Sequence, residues 1–453
     1  MRRNALIINP WITDFKLYDE WMHPLGLYFL ISLLKQSNWD VTFVNCLRRD
    51  PARKAKRRGT GDFPWVELEK PPAYESVPRK YKLYGIEESR LHRLLADAPR
   101  PDMIFIGSGM TYWIDGLART LDAVGGVLGG IPVVIGGIAA RLMPDLLARR
   151  FPECIVVSHG FLDDPQGLRA KHELLADLKP IGADPSLLGG LRSCEHLYHG
   201  PVLTSLGCPL DCTYCASRLL QPSFRHRSVE VILDEIEFCI DTFGVRDFAF
   251  YDDALLYGPR RNLLDLFRRL CAKQGMVRLH TPNGLHLRPL TPAVVELMRE
   301  AGFATLRFGY ETGSQAHASD TCAKAGRKLL ADRISLVKAA GFGRHAVGVY
   351  IMGGLPGQTV ESMLDEMDYV GSLGIDVKPV FLSPVPGTPV FITYARRFPG
   401  LQSDPLLHND TVFVTMLEGW GGEAVRRVRD KARAINRGRD REIPVAGDGA
   451  TGA

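Results

Sequence analysis

The feature that most limits what this chain can become is a recurring alternation, in which short apolar runs are each followed by a stretch with helical spacing. Five runs occupy the first part, at residues 5–9 (ALIIN), 41–44, 103–107, 132–136 and 154–157. Six more follow at 202–205, 247–251, 278–281, 305–309, 345–352 and 377–382. Helical patterns intervene at 24–36 in the first set and at 229–242, 261–272, 293–301, 325–340 and 360–373 in the second. Apolar strands alternating with helices pair in parallel, because each crossover helix must cover a sheet face. The first set predicts a Rossmann-like doubly wound sheet with ligands beyond the strands' carboxyl ends. The second predicts a β/α barrel, complete or partial, with its working groups in the loops at the C-terminal ends of the strands.

At 453 residues, 45% of them apolar, the chain exceeds one ordinary core, so two domains and a short appendage are expected, at 1–190, 196–400 and 401–453. An insertion at 48–100 interrupts the first set, and its basic run at Arg53–Arg58 has no aromatic within it. That composition predicts a solvated, charged surface loop and no nucleic-acid partner. A net charge of +5 is a mild bias that requires no such partner either. From Asp164 to His199 the chain reads as a polar, glycine-rich connector, and from about Arg437 it loses apolar periodicity and is expected to be disordered. Residues 123–140 carry no charge, but six glycines and Pro132 divide them into a helix end, a turn, a strand at Pro132–Ile135 and a Gly-Gly turn. No membrane partner is expected.

Nine cysteines, an odd number in a chain that opens MRRNALIINP without an apolar signal segment, suit a reducing cytoplasm. Three of them are clustered. Cys208, Cys212 and Cys215 fall within Gly207-Cys208-Pro209-Leu210-Asp211-Cys212-Thr213-Tyr214-Cys215, just after the first strand of the second set. Thiolates are soft, strongly donating ligands for iron–sulfur clusters or zinc, and one short loop can wrap all three around one centre. Three thiolates leave a [4Fe–4S] cubane with one iron unclaimed by protein, a position open to a substrate. The alternative is a structural zinc site with Cys194 or His226 as fourth ligand. Closed zinc sites favour paired clusters, and no second pair is present.

The pattern C-x-x-x-C-x-x-C, with the aromatic Tyr214 before its last cysteine, resembles the signature of the radical SAM superfamily. The resemblance extends over most of residues 196–395. Ser205-Leu206-Gly207-Cys208-Pro209 resembles the entry to the cluster loop, and Arg225 to Ile236 the segment that follows it. Phe250-Tyr251-Asp252-Asp253 resembles the second-strand end whose polar groups hold the methionyl amine of S-adenosylmethionine. Phe308 to Ser314 (FGYETGS) is similar to the fourth-strand end where a glutamate, here Glu311, bonds the ribose. Gly353-Gly354-Leu355-Pro356-Gly357-Gln358-Thr359 is similar to the fifth-strand turn near the adenine, and Pro384-Val385-Pro386-Gly387-Thr388 to a sixth-strand ending. Independently, an ammonium and a ribose diol need anionic or carbonyl acceptors, which Asp252, Asp253 and Glu311 could supply. The resemblance implies reductive cleavage of S-adenosylmethionine to a 5′-deoxyadenosyl radical, with a flavodoxin- or ferredoxin-type electron donor and a small-molecule or natural-product substrate.

Asn9-Pro10, Pro24-Leu25-Gly26-Leu27 and Gly136-Gly137-Ile138 resemble the cobalamin-binding-type domain that precedes many such barrels, which implies cobalamin and a methyl transfer or rearrangement. That family's base-off motif is Asp-x-His-x-x-Gly; His23-Pro24-Leu25-Gly26 supplies the second half, but Trp21 stands where the Asp should be. His23 is therefore expected to be a surface histidine at a helix start, and Met110 to Trp113 to line the crevice. An alternative is a methylthiotransferase-like RNA- or protein-modifying enzyme. It needs three N-terminal cysteines, where only Cys46 and Cys154 occur. A zinc-stabilised or electron-transfer protein is the non-enzymatic alternative.

Overall fold

The computed structural model describes residues 2–50, 56–162, 164–182, 184–313 and 325–438. β1 (Arg3–Asn9) buries Ala5 to Ile8 between two helical layers. After β2 (Ile12–Asp14), the helix Leu25–Gln36 returns the chain to β3 (Trp39–Asn45), which runs parallel to β1 with Ala5 opposite Val41. β4 (Trp65–Leu68) and β5 (Tyr81–Tyr84) lie in the insertion, and β6 (Met103–Ser108), β7 (Val133–Gly137) and β8 (Ile155–Val156) complete a parallel sheet of order β3-β1-β6-β7-β8. Strand order reverses between β1 and β6, which is where such a sheet opens a ligand crevice.

The insertion differs from the charged surface loop expected. β5 pairs antiparallel with both β2 and β4, and Phe63, Tyr74, Tyr81 and Tyr84 are buried. Burial of those aromatic rings outweighs the charge of the run before them; residues 51–55 of that run lie outside the described residues. The connector is likewise well packed. The helix Leu188–Leu191 presses on the helix Leu25–Gln36, and a Cβ on Gly190 would stand 2.3 Å from that of Tyr28.

The second half contains β9 (Gly200–Val202), β10 (Ser205–Leu206), β11 (Arg225–His226), β12 (Asp247–Phe250), β13 (Arg278–Leu285), β14 (Phe303–Glu311), β15 (Val347–Gly353) and β16 (Asp376–Phe381). β10 and β11 form an antiparallel hairpin, and the other six make one parallel sheet of order β16-β15-β14-β13-β12-β9, a partial barrel whose edges β9 and β16 are unpaired among the described residues. Its helices are capped by side chains: Ser228, Thr291, Thr359 and Thr388 each accept from a backbone N–H one turn on. Each cap is worth about 1 kcal/mol.

The strand period of two divides β14 cleanly. Leu306, Phe308 and Tyr310 bury against the helices, where Tyr310 Oη donates to Glu366 at 2.8 Å. Thr305, Arg307, Gly309 and Glu311 therefore face the concave side, where Thr305 Oγ1 meets His280 Nδ1 at 2.8 Å.

The appendage packs on the second half through a helix, and among the described residues only Arg437 and Gly438 belong to the stretch expected to be disordered; both are helical. The helix Gly422–Gly438 buries Val425, Val428 and Ala432 on the barrel, and Trp420 Nε1 donates to Gln358 O at 3.1 Å. Arg437 and Gly438 end that helix, and residues 439–453 lie outside the described residues. Among the described residues no helix is long and apolar enough to cross a membrane. Residues 123–140 divide, as read from the sequence, into the end of the helix Ile114–Leu128, a turn, β7 and the start of the helix Ile138–Leu142.

Candidate functional site

The cysteine loop springs from the β10–β11 hairpin. Gly207 turns it at φ +80°, where a Cβ would stand 2.7 Å from Ser223 O. Cys208 is half-buried, Cys212 buried and Cys215 exposed, with Cys215 N donating to Cys212 O at 3.0 Å. Val390 N anchors the loop by donating to Thr213 O at 3.1 Å. Among the described residues no three His, Cys, Asp or Glu side chains already stand as a metal-ligand set. The sulfurs share one anchored loop and not a finished coordination shell. That is ordinary for a site whose ligands close on binding, and the donor chemistry, three thiols within eight residues, fits an iron–sulfur centre. Of the two side chains weighed as a zinc ligand, Cys194 Sγ meets Tyr28 Oη at 3.3 Å, while His226 Nε2 is buried under Gly258 and has no hydrogen-bond partner among the described residues.

The strand ends hold this loop. Asp252 is buried, and its carboxylate accepts from Thr204 N (3.1 Å), Thr204 Oγ1 (2.6 Å), Ser205 N (2.7 Å) and Ser205 Oγ (2.7 Å). This clamp ties the end of β12 to the entry of the cysteine loop. Four of these bonds fall on Oδ1, and Oδ2 only shares the Thr204 N–H, so Asp252 holds the loop chiefly through one oxygen. Asp253 is different. It is open to the cleft yet deep enough that burial raises its pKa, and it is hydrogen-bonded to Ser217, whose Oγ lies 3.1 Å from Cys215 Sγ.

Tyr214 is half-buried, and its phenol is pushed up by burial first, then by the charges of Glu311, Cys212 and Cys215. The charges of β14's last residue and of two of the thiols thus both act on this phenol. Glu311 is buried and adopts φ +66°, at a register slip between β14 and β15. A left-handed non-glycine residue costs about 1–3 kcal/mol and marks a side chain aimed against local preference.

Gly353 and Gly354 are set by packing and turn geometry. A Cβ on Gly353 would stand 2.7 Å from Met363 Sδ and 2.8 Å from the Trp420 ring, and Gly354 has φ +98°. Gln358 Oε1 accepts from Gly354 N at 2.9 Å and Tyr394 Oη donates to Gly354 O at 2.7 Å, closing the turn. Ser314, at the end of the β14 motif, lies outside the described residues.

The helix Ile138–Leu142 after β7 touches the cysteine loop's segment, where Arg141 donates to Leu219 O at 3.3 Å. Gly137 has φ +103° with Ser108 O 2.3 Å from its missing Cβ, while a Cβ on Gly136 would meet nothing within 4 Å. Met110 is exposed, and Trp113 Nε1 donates to Asp14 Oδ2 at 2.8 Å. Gly136 and Gly137 end β7, beside β6, at the strands' carboxyl ends where such a sheet takes its ligand.

His23 is not the surface residue expected. His199 Nε2 meets Asp19 Oδ1 at 2.8 Å, and Asp19 Oδ2 accepts from Arg49 at 3.1 Å. A carboxylate only accepts, so His199 carries its proton on Nε2, and its Nδ1 accepts from His23 Nε2 at 2.9 Å. His23 Nδ1 then accepts from Tyr28 Oη at 3.2 Å. With both nitrogens engaged, His23 is no free metal ligand, and burial depresses its pKa to about 3. Trp21, at φ +66°, stacks on His280 at 4.6 Å and accepts from Tyr251 Oη through its carbonyl. This chain joins the two domains. No local pattern reveals it, because His23 and His199 stand 176 residues apart.

Residues 202–370 match the family model of the Radical SAM superfamily. An uncharacterised methyltransferase of Pyrococcus horikoshii is 28% identical over 191 residues, 42% of this chain and 40% of the relative. Cytidylyl-2-hydroxyethylphosphonate methyltransferase of Streptomyces wedmorensis is 29% identical over 198 residues, 42% of this chain and 36% of the relative. The chain thus spans about two fifths of the length of these curated relatives. In fold it is similar to the radical S-adenosylmethionine methyltransferase TsrM of Kitasatospora setae, solved with cobalamin and a [4Fe-4S] cluster bound. The TM-score is 0.63 at 16% identity, covering 88% of this chain and 79% of that one.

Proposed function

We propose, from the membership of residues 202–370 in the radical SAM superfamily, that this chain is a radical S-adenosylmethionine enzyme with a cobalamin-type domain, acting as a methyltransferase on a small-molecule substrate. The observation that carries the proposal is the loop of Cys208, Cys212 and Cys215, fixed to the barrel's strand ends by Asp252. When bound, a [4Fe–4S] cluster with S-adenosylmethionine supplies a 5′-deoxyadenosyl radical, and cobalamin supplies a transferable methyl group.

The chain's own groups position and shield. Cys208, Cys212 and Cys215 would hold the cluster, leaving one iron for the cofactor. Asp253 offers an acceptor for the methionyl ammonium, and Glu311, held in its strained conformation, offers one for the ribose diol. Asp252 is a positioning residue. The turn closed by Gln358 shapes the wall near the adenine. The crevice edged by Gly136 and Gly137 would hold cobalamin, and the buried hydrogen-bonded chain from Asp19 to Tyr28 fixes the first domain to the second. An acidic flavodoxin- or ferredoxin-type carrier is the electron donor this chemistry requires.

The test is anaerobic reconstitution with iron and sulfide, followed by metal analysis and assay for 5′-deoxyadenosine. About four irons per chain and deoxyadenosine formation are expected; a colourless, iron-free protein refutes the proposal. Cobalamin uptake, followed by its visible spectrum, tests the subclass separately.

A further inference from the structure

Arg307 lies mid-strand on the concave face of β14, opposite Gly348 of β15. Its side chain extends flat across that glycine: a Cβ on Gly348 would stand 3.2 Å from Arg307 Cδ, 3.3 Å from Nη1 and 3.4 Å from Nε. Nη1 donates to Leu306 O and Ala346 O, both at 3.1 Å, which fixes the plane of the guanidinium. Among the described residues no carboxylate pairs with it, and its Nε–Nη2 edge has no protein acceptor. That edge is the one that grips an oxoanion with two parallel hydrogen bonds.

The surroundings reinforce this. Tyr350, opposite Gly309 and next on the same face, is half-buried and donates to Pro282 O at 2.7 Å. Burial raises its phenol, the Arg307 charge opposes that rise, and Glu20 and Glu311 add to it. Lys378 pairs in register with Tyr350 and so faces the same side, only loosely held by Asp376 at 3.7 Å. Asp376, in register with Gly348 and so on this face too, pairs with His345 at 3.5 Å and Lys378 at 3.7 Å and not with Arg307. Arg307 is four residues along the strand from Glu311, about 13 Å deeper in the barrel. It therefore lies below the end of β14 that carries Glu311, on the concave face where the remote part of a substrate would lie.

We infer that the substrate carries an oxoanion, carboxylate or phosphoryl, gripped by the Nε–Nη2 edge of Arg307 with Lys378 beside it. The inference rests on the radical SAM reading, because only that reading puts the substrate on the concave face. Its remote anion anchors the molecule while the reacting carbon faces the cofactor end.

The test is calorimetric titration of the reconstituted protein, with S-adenosylmethionine present, using methylphosphonate in one arm and acetate in the other. The unaltered protein is expected to bind at least one of them, and Arg307→Gln to weaken that binding by about tenfold or more. The tighter of the two names the anion. Gly348→Ala keeps the charge but pushes the guanidinium aside and is expected to weaken binding several-fold, which guards against a misfolded Gln variant. Binding of neither probe by the unaltered protein, or equal binding by Arg307→Gln, overturns the inference. Iron content and deoxyadenosine formation of the unaltered protein report on the radical SAM reading independently.

Discussion

The cysteine loop and the histidine chain at the domain interface are built on opposite principles. The loop's three sulfurs are close in sequence, and one of them is exposed to solvent. The interface chain gathers Asp19, His23, Tyr28, Arg49 and His199 from three segments, and each side chain finds a hydrogen-bond partner. Loosely held donors on a firm base are what an incoming ligand needs, whereas a saturated buried network holds a structure together. Removing parts of each should therefore damage different things.

The largest effect is expected at the loop. Cys208→Ala, Cys212→Ala or Cys215→Ala should abolish the iron centre and deoxyadenosine formation, while denaturant unfolding shifts by no more than about 1 kcal/mol, because the loop lies outside the main cores. Equal iron content in a Cys212→Ala protein would break the contrast. The converse is expected at the interface. Asp19→Ala leaves Arg49 buried without its partner, which should cost about 3–5 kcal/mol of stability while iron content after reconstitution holds.

A pH titration sharpens the same comparison. An unfolded histidine takes a proton near 6.5, while burial holds folded His23 down at about 3. The unfolded state binds that proton first, so His23's contribution to stability is full above 6.5 and lost as pH falls toward 3, with a limiting slope of about 1.4 kcal/mol per pH unit. Asp14 works the other way. Burial pushes it up to about 6, so between 3.8 and 6 its folded form keeps a proton the unfolded chain has released, and its contribution falls as pH rises. Asp14→Asn should steepen the acid loss seen in denaturant titrations and His23→Phe should flatten it; an unchanged slope in both speaks against the buried assignments. The smallest effect belongs to Tyr251→Phe, which removes only the hydrogen bond to Trp21 O and should cost about 1 kcal/mol.

The same division explains what could be read from the sequence. The parallel sheets were legible because ALIIN and its successors alternate with helical spacing, and the cysteine loop because its ligands are contiguous. The antiparallel sheet of the insertion was hidden by the basic run and prolines before it, although Tyr81 and Tyr84 bury in β5. The helix Gly422–Gly438 was missed because arginines dominate its composition, while Val425, Val428 and Ala432 supply a narrow apolar seam. Asp252 was noticed for its charge, but its partners Thr204 and Ser205 stand 48 and 47 residues earlier, and no local pattern connects them. The interface histidines obey the same limit, since pairing across domains leaves no period along the chain.

Electron paramagnetic resonance of the anaerobically reconstituted, reduced protein, recorded before and after adding S-adenosylmethionine, tests the iron left unclaimed by Cys208, Cys212 and Cys215 most directly. A signal of a reduced [4Fe–4S] cluster that changes when S-adenosylmethionine is added is the predicted result. A signal indifferent to S-adenosylmethionine, or none at all, contradicts it.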